Sequence, residues 1–248
     1  AASSATWEGI TDAAITIHSS AEPINLASGS SGIYFQNTTA GTNSGWKQAN
    51  TWQSTGLATN TAYSFKITTR NGDGTISTTL DAGIKYSLAN TPSAPTLTSS
   101  YDATNGSNVQ ITVNANGNPA GTEYAVTTNE GSSWLRSTGT TQASETWEAV
   151  TSWKYINLSA NTQYSFRVKA RNGDNTATTL SATQSATTPP AKPTGLSSSS
   201  IAQTTAALSW NSVTAATSYE VSTGTDTGGT NLGITTTSEA ALAKTSLT

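Results

Sequence analysis

An alternation of apolar and polar side chains is the strongest pattern along the chain. In the segment YSFRVKAR every second residue is apolar, at Tyr164, Phe166, Val168 and Ala170. A period of two places the apolar set on one face of a β-strand and the polar set on the other. The segment NGDN follows directly and contains residues that tolerate a positive φ. We therefore predict a strand, a hairpin turn and a further, Thr-rich edge strand.

This strand-and-turn segment occurs twice. The segment LATNTAYSFKITTRNGD begins at Leu57 and the near copy LSANTQYSFRVKARNGD begins at Leu158, so the offset is 158 − 57 = 101 residues. Such an offset is too long for a solenoid repeat and suits one β-sandwich domain. Short alternating segments precede each copy; among them GIYFQNTTAG matches TEYAVTTNEG, which pairs Tyr34 with Tyr124. The pattern indicates tandem sandwiches.

Pro-rich segments separate these sandwiches. They lie at 89–95 and 187–193, and proline lacks the N–H that a sheet ladder needs and stiffens a linker into an extended form. Similar early strands follow the second linker, including TSYEVST around Tyr219. We predict three units, at residues 1–92, 93–190 and 191–248.

The motif Leu-x-x-x-Thr-x-Tyr in the repeated segment resembles that of fibronectin type III domains. In this chain it ends at Tyr63 and Tyr164, and the likeness is to tandem domains of bacterial extracellular proteins. The resemblance implies an all-β fold of tandem immunoglobulin-like (fibronectin type III) β-sandwiches, two complete and a third truncated. It also implies that Tyr63 and Tyr164 are tyrosine corners, whose hydroxyl groups bond to upstream backbone.

The third unit is predicted to lack its last strands. Its early strands contain Trp210 and Tyr219, a pair that the family shares, but no Leu–Thr–Tyr strand follows before Thr248. A sandwich without these strands leaves backbone groups and apolar side chains uncovered. Three interpretations stay open: the chain is part of a longer protein that completes the sandwich, another copy supplies the missing strand, or a small domain closes unaided.

Composition narrows the function classes. The chain has 248 residues, no Cys, a net charge of −3 and 10% charged residues. Without Cys there are no disulfides and no thiol chemistry. Without basic clusters we expect no nucleic-acid partner and no polybasic membrane patch, and no apolar run approaches the ~18 residues of a membrane span. The Ser- and Thr-rich sequence and its small polar start, AASSATW, favour a secreted protein, extracellular or at the cell surface.

Candidate chemistry is sparse. The one His, His18, ends an apolar strand, and Glu145 and Glu148 flank Trp147 in a polar segment. An acid pair is the arrangement of a sugar-cleaving site, but solvated loop charges are the simpler interpretation. The segment NGDGT at 71–75 resembles part of a calcium loop without its further acidic ligands, and a hairpin turn explains it. We predict no catalytic residue, no metal and no cofactor.

The tryptophans carry more information. Trp52 and Trp153 share the 101-residue offset, which predicts core positions before the repeated segment. Trp46 and Trp134 match at an offset of 134 − 46 = 88, so we predict an insertion of 101 − 88 = 13 residues in the second unit, ending at Trp147, which has no counterpart. Trp134 and Trp147 are the candidate ligand-binding residues, because aromatic faces on loops stack on sugar rings; packing is the alternative.

These features predict a non-enzymatic extracellular structural protein, a building block of a surface layer, sheath, filament or adhesin stalk. The expected partners are other copies of the chain or neighbouring surface proteins, with glycans as further candidates. The alternative is a spacer or carbohydrate-binding accessory region of a secreted polysaccharide-degrading enzyme. An exposed aromatic row or a catalytic domain elsewhere in the gene would favour that alternative, since the fold alone does not decide between roles.

Overall fold

The computed structural model describes residues 2–19, 30–128, 131–225, 230 and 233–245. In these residues it contains β-strands, turns and loops and no α-helix. The strands form antiparallel sheets of the immunoglobulin-like sandwich type, so the all-β prediction is confirmed.

The part of the first sandwich that the structure describes contains seven strands. They are β1 (Ala5–Glu8), β2 (Ala14–Ser19), β3 (Gly32–Asn37), β4 (Thr42–Lys47), β5 (Thr51–Thr55), β6 (Ala62–Arg70) and β7 (Leu80–Tyr86). One sheet has the order β1-β2-β5 and the other the order β4-β3-β6-β7. The core forms where Ile15 and Ile17 of one sheet meet Phe35, Phe65 and Ile67 of the other. Alternation along each strand therefore gives each sheet one apolar face, and the two apolar faces pack against each other.

Eight strands form from the described residues of the second sandwich. They are β8 (Ser93–Asp102), β9 (Gly106–Asn114), β10 (Glu123–Thr128), β11 (Ser133–Leu135), β12 (Thr141–Gln142), β13 (Ser152–Leu158), β14 (Gln163–Arg171) and β15 (Gln184–Thr187). The two sheets have the orders β13-β9-β8 and β12-β11-β10-β14-β15. Phe166, Val168 and Ala170 of β14 are fully buried, as the alternation in YSFRVKAR predicts.

The described residues of the third segment form five strands. They are β16 (Ser197–Ser199), β17 (Thr205–Ser209), β18 (Tyr219–Thr223), β19 (Gly233–Thr237) and β20 (Ala241–Thr245). One sheet has the order β16-β17-β20, and β18 pairs with β19 in the other. No described residue after Thr188 is buried, which contrasts with the closed cores of the first two sandwiches.

Contact density divides the chain into two compact units. The first consists of Ala1–Thr98, Gln110–Tyr155 and Ser165–Ser185, and the second of Ser99–Val109, Ile156–Tyr164 and Ala186–Thr248. The first unit holds β1–β7 together with β10–β12 and most of β14. The second holds β16–β20 with parts of β8, β9 and β13. Domain boundaries at residues 92 and 190 stay predictions.

The strand registers correct one match made from the sequence. Ile33 lies opposite Thr69 in the β3–β6 pair, and Tyr124 lies opposite Ala170 in the β10–β14 pair. Because 170 − 69 = 101, Tyr124 is the counterpart of Ile33. The match of Tyr34 with Tyr124 is therefore wrong by one residue. In a strand a shift of one residue exchanges the faces, so Tyr124 is buried whereas the ring of Tyr34 lies outside the core.

The strands before each repeated segment hold the tryptophans expected in the core. Trp153 of β13 is 1% exposed. Trp52 of β5 is partly buried against the first core, with its ring centroid 6.5 Å from Phe35 and 6.4 Å from Phe65. The core position of Trp153 is confirmed, and Trp52 packs against the core without being fully buried.

Candidate functional site

The outer face of β14 carries contacts to both tryptophans that were predicted to bind ligands. The Nζ atom of Lys169 lies 4.9 Å from the ring centroid of Trp134 and 5.4 Å from that of Trp147. The guanidinium carbon of Arg171 lies 4.9 Å from the Trp147 centroid. The ring quadrupole attracts cations at these distances over an aromatic face. We call Trp134, Trp147, Lys169 and Arg171 the cation–tryptophan cluster.

Carboxylates balance the charge of this cluster. Lys169 forms an ion pair with Glu145, and Arg171 Nε donates to Glu123 Oε2 at 2.6 Å. Glu148 Oε1 instead accepts a hydrogen bond from a backbone N–H in the loop between β11 and β12, at 2.9 Å. Glu145 and Glu148 therefore have separate partners, an arrangement that favours loop charges over a catalytic acid pair.

Exposure differs between the two candidate ligand-binding residues. Trp134 is only 5% exposed, so little of its ring can meet a sugar. Trp147 is half-buried, and its ring contacts Lys169 and Arg171. Trp147 is therefore the better candidate for sugar stacking on this face, and glycan binding stays a proposal.

A matching contact in the first sandwich identifies the counterpart of Trp147. The guanidinium carbon of Arg70 lies 4.4 Å from the ring centroid of Trp46. Arg171 follows Arg70 by 101 residues, and Trp147 follows Trp46 by 147 − 46 = 101 residues. The Arg70–Trp46 contact of the first sandwich thus recurs in the second sandwich as the Arg171–Trp147 contact, with both residues shifted by 101. Trp147 therefore has a counterpart, contrary to the expectation from the sequence.

Backbone pairing supports this correction and resizes the insertion. Ile33 lies opposite Lys47, and Tyr124 forms an isolated antiparallel bridge with Glu148. The offsets are 124 − 33 = 91 and 148 − 47 = 101 residues, so ten extra residues lie between Tyr124 and Glu148. The insertion of 13 residues ending at Trp147 is therefore wrong: it lies before Trp147 and contributes the β11–β12 hairpin with Trp134. Trp46 and Trp147 are 101 residues apart, which is the offset of the repeated segment. This shared offset could have identified the pair from the sequence.

Both repeated tyrosines bond to the backbone five residues upstream. The N–H of Ala58 donates to Tyr63 Oη at 2.7 Å, and the N–H of Ser159 donates to Tyr164 Oη at 3.1 Å. This geometry supports the proposed role as tyrosine corners. In the third segment Tyr219 Oη accepts from the N–H of Val213, six residues upstream, at 2.8 Å. Tyr219 lies on β18, which is not the counterpart of β6 or β14, the strands that hold the other two tyrosines.

The second Asn-Gly-Asp turn contacts the end of the first sandwich. We call Asn172–Asp174 the junction turn. Asn172 Nδ2 donates to the carbonyl oxygen of Ser87 at 3.1 Å, and the N–H of Gly173 donates to Asn60 Oδ1 at 3.1 Å. The N–H of Tyr86 donates to Asp174 Oδ2 at 3.0 Å. Every residue of the junction turn thus bonds to the first sandwich.

An ion pair and close packing strengthen this junction. Lys85 Nζ lies 3.0 Å from Asp174 Oδ2. A Cβ atom at Gly173 would overlap the ring of Tyr86, so glycine is the residue that permits this approach. Alongside, the N–H of Asn90 donates to Asn118 Oδ1, and Asn118 Nδ2 donates to the Asn90 carbonyl oxygen, both at 2.8 Å.

The first Asn-Gly-Asp turn has the same internal hydrogen bonds. Asn71 Oδ1 accepts from the N–H groups of Asp73 and Thr75 at 3.1 and 2.9 Å. A side-chain oxygen that caps its own loop in this way makes an Asx-type turn. These bonds support the hairpin-turn interpretation of NGDGT.

Other candidate chemistry stays isolated. His18 Nε2 lies 2.8 Å from Glu8 Oε1. Among the residues that the structure describes, no group of three or more His, Cys, Asp or Glu side chains is placed to hold a metal ion. The same residues include no helix that is long and apolar enough to cross a membrane.

Comparison with known proteins identifies no family for this chain. No family model matches the chain, and no curated protein matches it. Among solved structures it is similar to the crystal structure of the chicken CNTN1 FN1-FN3 domains. That similarity has a TM-score of 0.35 at 15% identity, and it covers 98% of this chain and 88% of the other.

Proposed function

We propose that the protein is a non-enzymatic extracellular structural protein, a building block of a surface layer, sheath, filament or adhesin stalk. Its partners in this role are other copies of itself or neighbouring surface proteins, and it is secreted to the cell surface or beyond. The observation that carries the proposal is the junction between the first two sandwiches.

A chain of domains keeps a fixed shape only if its joints resist bending. Flexible linkers leave neighbouring domains free to reorient. Here the junction turn instead bonds directly to the preceding sandwich through Asn172, Gly173 and Asp174. The Asn172 side chain is 3% exposed, and a buried polar group that loses its partner is costly. These contacts support a stiff connection, as a structural element requires.

Microscopy of the natural material tests the proposal. We expect negative-stain images to show a lattice, a sheath or fibres. Dispersed particles joined to a catalytic domain would contradict it and would favour the accessory region of a polysaccharide-degrading enzyme. The variant Asn172→Ala removes the bond to Ser87 and should make the assemblies less regular. Asn71→Ala is the matched control, because it removes the same turn-capping oxygen without touching the junction turn.

Glycans are further proposed partners, and Trp147 is the residue on which they would stack. A glycan array measures binding by the wild-type chain and by Trp147→Ala. Binding that is lost in Trp147→Ala but kept in Trp46→Ala would support this proposal. Wild-type protein that binds no glycan would contradict it.

A further inference from the structure

Four asparagines of the chain are followed directly by glycine. They are Asn71, Asn105, Asn116 and Asn172. An asparagine in this position can lose its side-chain amide without an enzyme, because glycine has no side chain that hinders its backbone nitrogen from attacking the asparagine carbonyl carbon. Asn71 and Asn172 lie in the same local sequence, Arg-Asn-Gly-Asp. A difference in their reactivity in the folded chain therefore arises from the fold.

The reaction of Asn71 requires water as its one co-reactant. The nitrogen of Gly72 gives up its proton and forms a bond to Cγ of Asn71. The bond from Cγ to Nδ2 breaks, and ammonia leaves with the proton. Water then adds to either carbonyl of the cyclic imide and opens the ring. The product at residue 71 is an aspartate or an isoaspartate, in which the backbone runs through the former side chain.

Both Asn-Gly-Asp turns prepare the side-chain carbonyl for this attack in the same way. In each copy the Asn Oδ1 accepts hydrogen bonds from the N–H groups two and four residues further along the chain. Donors aimed at this oxygen stabilise the negative charge that it gains when the nitrogen attacks. Because Asn71 and Asn172 share these bonds, the bonds do not make one more reactive than the other.

The junction turn holds both groups that would have to react. Asn172 Nδ2, the leaving group, donates to the carbonyl oxygen of Ser87, and the N–H of Gly173, the attacking group, donates to Asn60 Oδ1, both at 3.1 Å. Asn172 is also only 3% exposed. Deamidation here requires that both bonds break and that water enters, so it depends on a local opening of the junction.

The first turn holds neither group. Among the residues that the structure describes, neither Asn71 Nδ2 nor the N–H of Gly72 has a hydrogen-bond partner, and both residues are exposed. The other two asparagines before glycine differ in this respect. Asn105 Nδ2 donates to a carboxylate at 3.2 Å, and Asn116 Nδ2 donates to a backbone carbonyl oxygen at 2.9 Å. Of the four, Asn71 has the least hindered amide.

We infer that Asn71 is a site of spontaneous deamidation in the folded protein and that the junction turn protects Asn172 from the same reaction. The inference goes beyond the proposed function, since the reaction requires neither a partner nor an assembly. Its product adds a negative charge to the exposed turn beside Asp73. The neutral amide of Asn172, which bonds to Ser87, is preserved. The chain thus ages at a turn outside the junction, and the junction keeps its contacts.

Peptide mapping of the full chain by mass spectrometry tests the inference after incubation at neutral pH. We expect the amide at residue 71 to be lost at least about tenfold faster than that at residue 172. In guanidinium chloride the two rates should become equal, because the local sequences are identical. Equal rates in the folded chain overturn the inference. Retention of the amide at residue 71 over a time in which the unfolded chain loses it does so as well.

The products and one variant test the attack by Gly72. Electron-transfer fragmentation distinguishes isoaspartate from aspartate, and isoaspartate forms only through the cyclic imide. Gly72→Ala places a methyl group beside the attacking nitrogen and should slow the loss at residue 71 at least about fivefold. Aspartate as the sole product, or an unchanged rate in Gly72→Ala, overturns the proposed chemistry.

A second pair of variants tests the protection of Asn172. Asn60→Ala removes the acceptor of the Gly173 N–H and should speed the loss at residue 172 about two- to tenfold. Asn161→Ala is the matched control, because Asn161 follows Asn60 by 101 residues and has a similar positive φ, 48° against 43°. It should leave the rates at both turns unchanged. An unchanged rate at residue 172 in Asn60→Ala, or the same increase in both variants, overturns the role of the junction.

Discussion

The Asn-Gly-Asp turn has the same residues in the first two sandwiches and different surroundings in each. Asn172 is buried and Asp174 half-buried in the junction, whereas Asn71 and Asp73 are exposed. In both copies the Asn Oδ1 accepts the same two backbone N–H groups. In the second copy, Asn172 Nδ2 also donates to the first sandwich.

The two turns share their local structure but differ in their contacts with the rest of the chain. The turn closes through bonds within five residues, so either copy forms it without help from the rest of the chain. The junction requires in addition that another sandwich presents backbone groups at Tyr86 and Ser87. A repeated segment thus predicts repeated local structure and leaves the partner of its exposed groups undefined.

The largest expected difference is between Gly173→Ala and Gly72→Ala. A methyl group at residue 173 would overlap the Tyr86 ring. The shifts of side chain and backbone that remove such an overlap typically cost about 1–3 kcal/mol of stability. We expect Gly173→Ala to lower the free energy of unfolding by this amount. It should also speed hydrogen exchange at the Tyr86 N–H, which bonds across the junction.

Gly72→Ala is the control for the intrinsic cost of alanine in this turn. It should change the exchange of Tyr86 little, because its turn lies outside the junction. If both variants lose the same stability and leave Tyr86 protected, the close approach of Gly173 and Tyr86 does not stabilise the junction.

The alternation in YSFRVKAR was sufficient to predict β14 and its buried face. It failed for β3, where Ile33, Tyr34 and Phe35 are consecutive and large, so that either phase of alternation fits. Pairing with β6 decides the phase, with Ile33 and Phe35 facing inward. Tertiary packing, which the pattern does not contain, thus set the orientation of Tyr34.

The cation–tryptophan cluster shows a different limit of prediction from the sequence. The spacing of Trp46 and Trp147 was present in the sequence, but the nearer match to Trp134 concealed it. The stacking of Arg70 and Arg171 on their rings, together with the backbone pairing beside them, identifies the correct pair. The junction could not be predicted at all, because the partners of Asn172 and Gly173 are backbone and side-chain atoms about 85 and 113 residues distant, and residue types alone do not encode such contacts.

Asp174→Ala and Asp73→Ala compare the two acidic residues. Asp174 accepts from the Tyr86 N–H and pairs with Lys85, and both side chains are about three-quarters buried. A hydrogen bond contributes about 0.5–1.5 kcal/mol to stability, and one to a charged group contributes more. We expect Asp174→Ala to lose this much in a denaturant titration and Asp73→Ala to lose less. Equal losses would place the effect in the turn and not in the junction.

Tyr63→Phe and Tyr164→Phe compare the proposed tyrosine corners. Each removes one hydrogen bond, which is worth about 0.5–1.5 kcal/mol. Tyr63 is 6% exposed and its bond is shorter, at 2.7 Å against 3.1 Å. We therefore expect the larger loss of unfolding free energy for Tyr63→Phe. Unchanged unfolding curves for both variants would show that neither hydroxyl has a structural role.

The smallest difference arises where Tyr124 stands in place of Ile33. Burial raises the pKa of Tyr124 above its ordinary value of 10.0, and hydrogen bonds with Thr122 and Asn118 act in the opposite direction. The unfolded chain therefore releases the phenol proton at a lower pH than the folded chain. The corresponding stability is fully present below about pH 10 and is lost as the pH rises through the folded pKa.

Denaturant titrations between pH 8 and about 11 test this expectation. At high pH the second sandwich should lose more stability in the wild-type chain than in the Tyr124→Phe variant. Parallel curves for the two proteins would contradict the raised pKa of Tyr124 in the folded chain.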